Sequence, residues 1–372
     1  MASPRVAIIG AGAAGAACAW RLRHKARTVV LEMGRGAGGR AGTRRAESFK
    51  FDHGSPLLEL DGDASVAELA AEFEARGSLT RFDGSVGSVD VARHSAHRVT
   101  ESAGDYFVGS PTMSAFARDM LEGSEVHFET RVQRLLKVDK QWHASDARGV
   151  NHGMFDWLVV AGATPALSRW ADGFGESPPL RIAATAAPAL RPVVAGLDLG
   201  LKNYDAAHVA MLGFPDAAAL ARLPFDVTRI SNDADVATIV RRGNTLAIHS
   251  TADFAARHKN TMGSTQHTSR TNDVVGSVDG EADACAALVG AAERLFPADG
   301  ALPTPSSGPA LHRWGAAFPR PDPALANLVA AGHIDVSQAR VFFCGDFAGG
   351  APTVAAALAS GLSAADALAQ KL

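Results

Sequence analysis

The stretch Val6-Ala-Ile-Ile-Gly10-Ala-Gly12-Ala-Ala-Gly15-Ala-Ala-Cys18-Ala-Trp20 decides the fold. Four apolar residues without a polar break read as a strand buried on both faces, as in a parallel sheet. Three glycines follow in G-x-G-x-x-G spacing. Gly10 makes the tight turn, Gly12 lets a pyrophosphate reach the backbone, and Gly15 lets the next helix pack closely on the strand. That helix offers free N–H groups and its positive dipole end, with Ala11 and Ala14 lining the approach. A second apolar strand, Thr28-Val-Val-Leu31, ends in Glu32, seventeen residues after Gly15. A carboxylate there can accept both ribose hydroxyls of an adenosine.

Downstream, Arg35-Gly-Ala-Gly38-Gly39-Arg40-Ala-Gly42-Thr43-Arg44-Arg45 sets paired glycines among four arginines. A nicotinamide-binding domain has no need of such a loop. A permanently held flavin dinucleotide does, because its pyrophosphate charge must be neutralised by fixed groups, and Arg40 can offer a planar fork. At the far end, Val341-Phe-Phe-Cys344-Gly345-Asp346 reads as another buried strand ending in an acid. Asp346 there can accept from a ribityl chain or bind near the pyrophosphate. The helix from Val354 to Lys371 would turn its free N–H groups, near Thr353 and Val354, toward the flavin pyrimidine edge.

The runs from Glu32 to Arg45, Phe51-Asp52-His53-Gly54, Phe343-Cys344-Gly345-Asp346 and Ser360-Gly361-Leu362-Ser363-Ala364-Ala365 resemble the flavin amine oxidase superfamily, and within it the renalase branch. The resemblance implies FAD as cofactor. It adds Gly54 and Ser55 to the cofactor residues and gives Val132 a main-chain contact to adenine. It also implies that Leu311-His312-Arg313-Trp314 and the strand end at His249 turn toward the flavin, which makes His249, His312 and Trp314 the catalytic candidates. Renalase-like proteins oxidise wrongly reduced dihydronicotinamide dinucleotides and pass the electrons to oxygen. Gly54-Ser55-Pro56-Leu57 departs from the branch, since proline and leucine cannot donate the hydrogen bonds of its usual glutamine and tyrosine. Phe254 stands where tryptophan is common.

Two other readings stay open: a flavin-loaded structural or interaction protein, and an amine oxidase. The latter usually stacks its substrate between two aromatic rings, and this chain has only two tyrosines, Tyr106 and Tyr204.

At 372 residues the chain suits two domains. The expected fold is α/β: a Rossmann-like, doubly wound FAD-binding sheet with an antiparallel-sheet substrate domain, the two-domain plan of glutathione reductase and p-hydroxybenzoate hydroxylase. Residues 1–60, 105–163 and 310–372 are assigned to the first domain, 61–104 and 164–309 to the second. Expected elements include a helix starting near Asp63 and ending at Gly77, and a helix capped by Ser110 with Pro111 at its first position. A strand Val126–Val132, a meander to Phe155, strands at Pro192–Leu197 and Asn244–His249, and a helix from Ala282 to Phe296 complete the set. The polar stretch 257–281 reads as a mobile loop where a protein partner could engage.

A net charge of −3 argues against nucleic acid as the main partner, and no apolar run reaches the length of a membrane span. The first strand begins at Val6, which leaves no room for a targeting peptide, and the three scattered cysteines read as reduced thiols. A cytoplasmic setting follows, or an organellar one if an upstream segment has been removed. Thirteen histidines show no metal spacing, so no metal is expected, and Ser231 and Ser360 lack a paired base. The chemistry falls to the flavin, with a small-molecule substrate and oxygen as partners.

Overall fold

The computed structural model describes residues 3–46, 48–98, 105–201, 204–263, 279–296, 302–320 and 323–372. Its centre is a six-stranded sheet in the order Glu125–His127, Arg27–Leu31, Arg5–Ile9, Trp157–Ala161, Val341–Cys344, Ile334–Val336. All neighbours run parallel except the last pair. The first strand is buried on both faces, as its unbroken apolar run requires. Val6 and Ile8 pack toward the helix Ala13–Leu22 and the C-terminal helix Val354–Ala369. Ala7 and Ile9 pack toward a three-stranded meander, Val132–Val138, Gln141–Asp146 and Asn151–Phe155, and toward helices Pro179–Ala186 and Arg191–Gly200. The first and last helices touch backbone to backbone: a side-chain carbon on Gly361 would lie 2.1 Å from the Ala14 carbonyl oxygen. That contact brings the two ends of the chain to one place.

A second sheet of seven strands runs Ser307–Pro319, Tyr204–Gly213, Thr245–Ser250, Val236–Arg242, Val227–Ser231, Val86–Asp90, Ser95–Arg98. It is antiparallel apart from the Val86–Asp90 and Val227–Ser231 pair. One face carries Val209, Met211 and Ala247; the other packs Ala210, Leu212 and Ile248 against helix Glu281–Leu295. The expected α/β class, a doubly wound sheet joined to a largely antiparallel one, is what the chain adopts.

Several local expectations differ. Pro192–Leu197 lies in a helix, Arg191–Gly200, with the proline in its first turn. Val193, Val194 and Leu197 are its buried residues, and so short an apolar run suits either period. The cap of helix Met113–Asp119 is Thr112, whose Oγ1 accepts from Ala115 N at 3.3 Å; Ser110 and Pro111 lie before it. Val126–Val132 is two strands in different sheets, separated by Glu129 at φ +54°. Helix Ala64–Ala75, expected from its Asp63 cap, places Val66, Leu69 and Phe73 in the core of the parallel sheet, whereas the sequence places 61–104 with the other domain. The boundary at 309/310 cuts through the strand Ser307–Pro319. Of the expected loop 257–281, residues 264–278 lie outside the described residues. Among the described residues no helix is long and apolar enough to cross a membrane.

Candidate functional site

The glycines of the first turn differ in what they do. Gly10 sits at φ +106°, and a side chain on it would press on the Ala161 carbonyl at 3.0 Å. A side chain on Gly15 would lie 2.0 Å from the Gly10 oxygen, so this glycine permits the helix to form against the strand. Gly12 is roomier: its nearest neighbour would be the Gly39 Cα at 3.9 Å. The second glycine loop docks here, with Gly12 and Gly38 in a parallel bridge and Gly38 N donating to Ala11 O at 2.9 Å. Ala11 and Ala14 are buried beneath this backbone cradle. Two facing glycine backbones beside a helix N-terminus fit a pyrophosphate.

At one end stands Glu32. Its carboxylate accepts from Ala11 N at 2.7 Å and from Gly34 N at 2.5 Å, which fixes it at the strand tip. Glu32 N bonds the His127 carbonyl, and Glu32 O accepts from Thr130 N. Val132, 3% exposed, begins the meander strand two residues after Thr130. Arg35 is exposed to solvent.

At the other end Arg40 forms a bidentate pair with Asp346, both distances 2.6 Å, and donates to Ala317 O at 2.9 Å. Gly54 and Ser55 hold the turn that carries Arg40. Ser55 N donates to Arg40 O, and a side-chain carbon on Gly54 would overlap that oxygen. Gly345, at φ +144°, donates its N–H to Ser360 Oγ on the last helix. That helix begins at Val354, and Thr353 caps it by accepting from Ala356 N at 3.1 Å.

A histidine cluster lies on the inner face of the second sheet. Val209 pairs with His249 on one side and His312 on the other, so the three side chains share one face. The His53 ring stands perpendicular to His312 at 4.5 Å and stacks on Trp314 at 5.0 Å, while Trp314 Nε1 donates to His53 O at 3.0 Å. Sequence reasoning missed His53 as a site residue, although it lies inside the quoted Phe51–Gly54 run. Burial, with His249 nearby, pushes the His53 imidazole down to about 3. Burial alone takes His249 down to about 4. Both are neutral near pH 7, able to donate or accept a hydrogen bond but unable to carry positive charge. Phe254 lies on the opposite face of the sheet, in the cluster behind it and edge-on to His208, so that departure from the resemblance leaves His53, His249 and His312 untouched.

Asp52 was also missed. It is buried, accepts from Thr43 Oγ1 at 2.5 Å and pairs with Arg242, which donates in turn to Gly109 O at 2.7 Å. It ties the arginine loop to the second sheet. The two tyrosines are apart in role: Tyr106 OH donates to Glu59, and Tyr204 lies in a different apolar cluster beneath Arg169.

A sequence profile described as an NAD(P)-binding Rossmann-like domain matches residues 8–73. The whole backbone is similar to a protein provisionally named protoporphyrinogen oxidase from Exiguobacterium sp. 255-15, with a TM-score of 0.65, 11% identity and 100% of each chain covered. It is equally similar to putrescine oxidase bound to putrescine, with a TM-score of 0.65, 13% identity and 98% of each chain covered. A redesigned putrescine oxidase gives 0.64, 13% and 98%. At such identities the likeness is one of fold alone.

Proposed function

We propose that this chain is an FAD-dependent oxidoreductase that oxidises a small reduced substrate, with a dihydronicotinamide dinucleotide isomer as the substrate class and oxygen as acceptor. The observation that carries the reading is the cradle built from both chain ends. It comprises Gly12 facing Gly39, the Glu32 carboxylate at the adenosine end, and Arg40 clasped to Asp346 at the other. These residues suit a dinucleotide: an open glycine backbone and an arginine fork for the diphosphate, and a fixed carboxylate for the ribose. When bound, the flavin supplies hydride acceptance and reoxidation by oxygen.

The chain's own residues bind, orient and shield. Gly10, Gly12 and Gly15 shape the phosphate turn, with Val132 beside the adenosine. The amides at the start of the last helix offer positive potential where charge develops. His53, His249, His312 and Trp314 form the opposite wall. With two imidazoles held neutral, that wall orients a substrate through hydrogen bonds and ring contacts without placing positive charge against a hydride donor. The buried, free thiols Cys18, Cys285 and Cys344 accord with a reducing, cytoplasm-like compartment.

A second reading, a flavin-loaded structural protein, draws on Leu57, which is buried in the apolar cluster with Val209 where the resemblance expects a hydrogen-bonding side chain. The experiment is an anaerobic titration of the yellow protein with 1,2- and 1,6-dihydro isomers of NAD. Bleaching within seconds supports the oxidoreductase. An unchanged spectrum with all isomers and with simple amines supports the structural reading, bleaching by amines alone supports an amine oxidase, and a colourless protein removes all three.

A further inference from the structure

Two serines stand one turn apart on the C-terminal helix Val354–Ala369, and they hold different things. Ser363 donates to the Ala331 carbonyl at 2.5 Å and meets Nδ1 of His333 at 3.0 Å. It therefore grips the turn that leads into the edge strand Ile334–Val336. Ser360 grips the same turn, donating to the Gly332 carbonyl at 2.6 Å, but its oxygen also accepts from Gly345 N at 2.9 Å. Ser360 is 1% exposed, so water does not compete for either bond. Serine is a poorer helix former than the alanines that fill this helix, and the two bonds offset that difference.

Gly345 follows directly on the strand Val341–Cys344, and its amide finds its partner in Ser360 rather than in the sheet. At φ +144° and ψ 170° its backbone occupies a region that only glycine enters readily. A side-chain carbon there would also lie 3.0 Å from the Phe347 ring. The Gly345 carbonyl accepts from Ala348 N at 2.9 Å and from Gly349 N at 3.0 Å. This residue is thus held at its amide by Ser360 and at its carbonyl by the short helix Asp346–Gly349. Together the two holds fix the direction in which Asp346 leaves the backbone. Glycine has more torsional freedom than any other residue, so without the serine the hinge before Asp346 is loose. Arg40 clasps the Asp346 carboxylate from the front, and Ser360 steadies its backbone from behind.

We infer that Ser360 is a positioning residue: through the Gly345 amide its hydroxyl sets the direction of the Asp346 carboxylate, and so governs how tightly the flavin dinucleotide is held. The second half rests on the flavin reading, which puts the cofactor beside Asp346. The first half, Ser360 acting on Asp346, does not.

The test strips the full chain of flavin, titrates it with FAD by the quenching of FAD fluorescence, and melts the flavin-free forms in parallel. Ser360→Ala and Ser363→Ala each remove a hydroxyl from the same turn, so both should lower the melting temperature. Only Ser360→Ala should weaken FAD binding, by about tenfold or more, because the buried Gly345 amide and Gly332 carbonyl lose their partner. If Ser360→Ala fails to fold, Ser360→Cys, which nearly keeps the size but bonds weakly, carries the comparison. A second readout needs no flavin. Urea unfolding of Ser360→Ala, Asp346→Ala and the double variant should give losses that do not add, whereas those of Ser363→Ala and Asp346→Ala should add. In a protein that binds FAD, equal affinities in the two serine variants overturn the positioning role, as do additive losses for Ser360 and Asp346. The two proposals fail separately. A wild type that binds no FAD while Ser360 and Asp346 stay coupled sinks the flavin reading alone, and FAD bound equally well by wild type and Ser360→Ala sinks the positioning role alone.

Discussion

Arg40 and Asp346, separated by 306 residues, meet as a two-pronged ion pair with both distances at 2.6 Å. The aspartate side chain is buried, the arginine half exposed, and Asp346 Oδ1 also accepts from Phe347 N at 3.0 Å. The pair therefore does more than join two charges: it closes the glycine-rich loop against the last strand. Asp346→Ala should lower unfolding free energy by about 1–3 kcal/mol, because Arg40 and the Phe347 amide lose a charged acceptor. Urea denaturation would measure this. The ratio of flavin to protein absorbance in the same samples should fall further than stability does, whereas a variant with undiminished flavin content would remove Asp346 from the cradle.

Gly12 and Gly15 should separate binding from folding. A methyl group on Gly15 would overlap the Gly10 carbonyl, so Gly15→Ala forces the first helix off the first strand and should cost about 3 kcal/mol or more. A methyl group on Gly12 meets nothing nearer than 3.9 Å. Gly12→Ala should therefore keep the wild-type melting temperature without cofactor and lose most of the bound flavin. Equal thermal destabilisation in both variants would contradict this division.

How much of this was legible in the sequence follows from where the information sits. The cradle was readable because its parts are local: a turn needing glycine, a strand with no polar break, an acid at a strand tip. The histidine wall was half readable. His249 and His312 stood out only through a resemblance, and nothing local to Val209 signals that it has a histidine on either side. His53 was hidden because its role depends on Trp314, 261 residues away, whose indole donates to its carbonyl. Pro192–Leu197 misled because six apolar residues satisfy either period, and the proline that decides for a helix does so only once its first-turn position is known.

Asp52 and Arg242 give a third prediction. The carboxylate is almost wholly buried, so Arg242→Ala strands a charge that keeps, among the described residues, Thr43 Oγ1 and a long contact from Met113 N. Removing one partner of a buried pair costs about 3–5 kcal/mol. Since Arg242 is about a third exposed, the lower end is expected. Asp52→Asn combined with Arg242→Gln should recover much of the loss, because neutral amides keep hydrogen bonds without the uncompensated charge. A double-mutant cycle by urea denaturation measures the coupling, and additive losses would mean that the pair does not join the loop to the sheet.

Three lowered histidines, His53, His249 and His208, contribute to the dependence of stability on pH in the same direction. His53 is pushed down to about 3 and His249 to about 4, while an unfolded chain returns both toward about 6.5. Between those values the unfolded state binds more protons than the folded state. Stability therefore falls as pH drops below about 6.5, and these groups contribute no slope above it. Each adds up to about 1.4 kcal/mol per pH unit, with His53 still contributing below pH 4 after His249 has levelled off. His249 is only partly buried by area, so its share should be the smaller. Urea midpoints measured from pH 8 to pH 4 should decline below pH 6.5 in the wild type. His53→Asn should remove about a third of that decline or more, and an identical decline in the variant would show that His53 titrates freely in the folded protein.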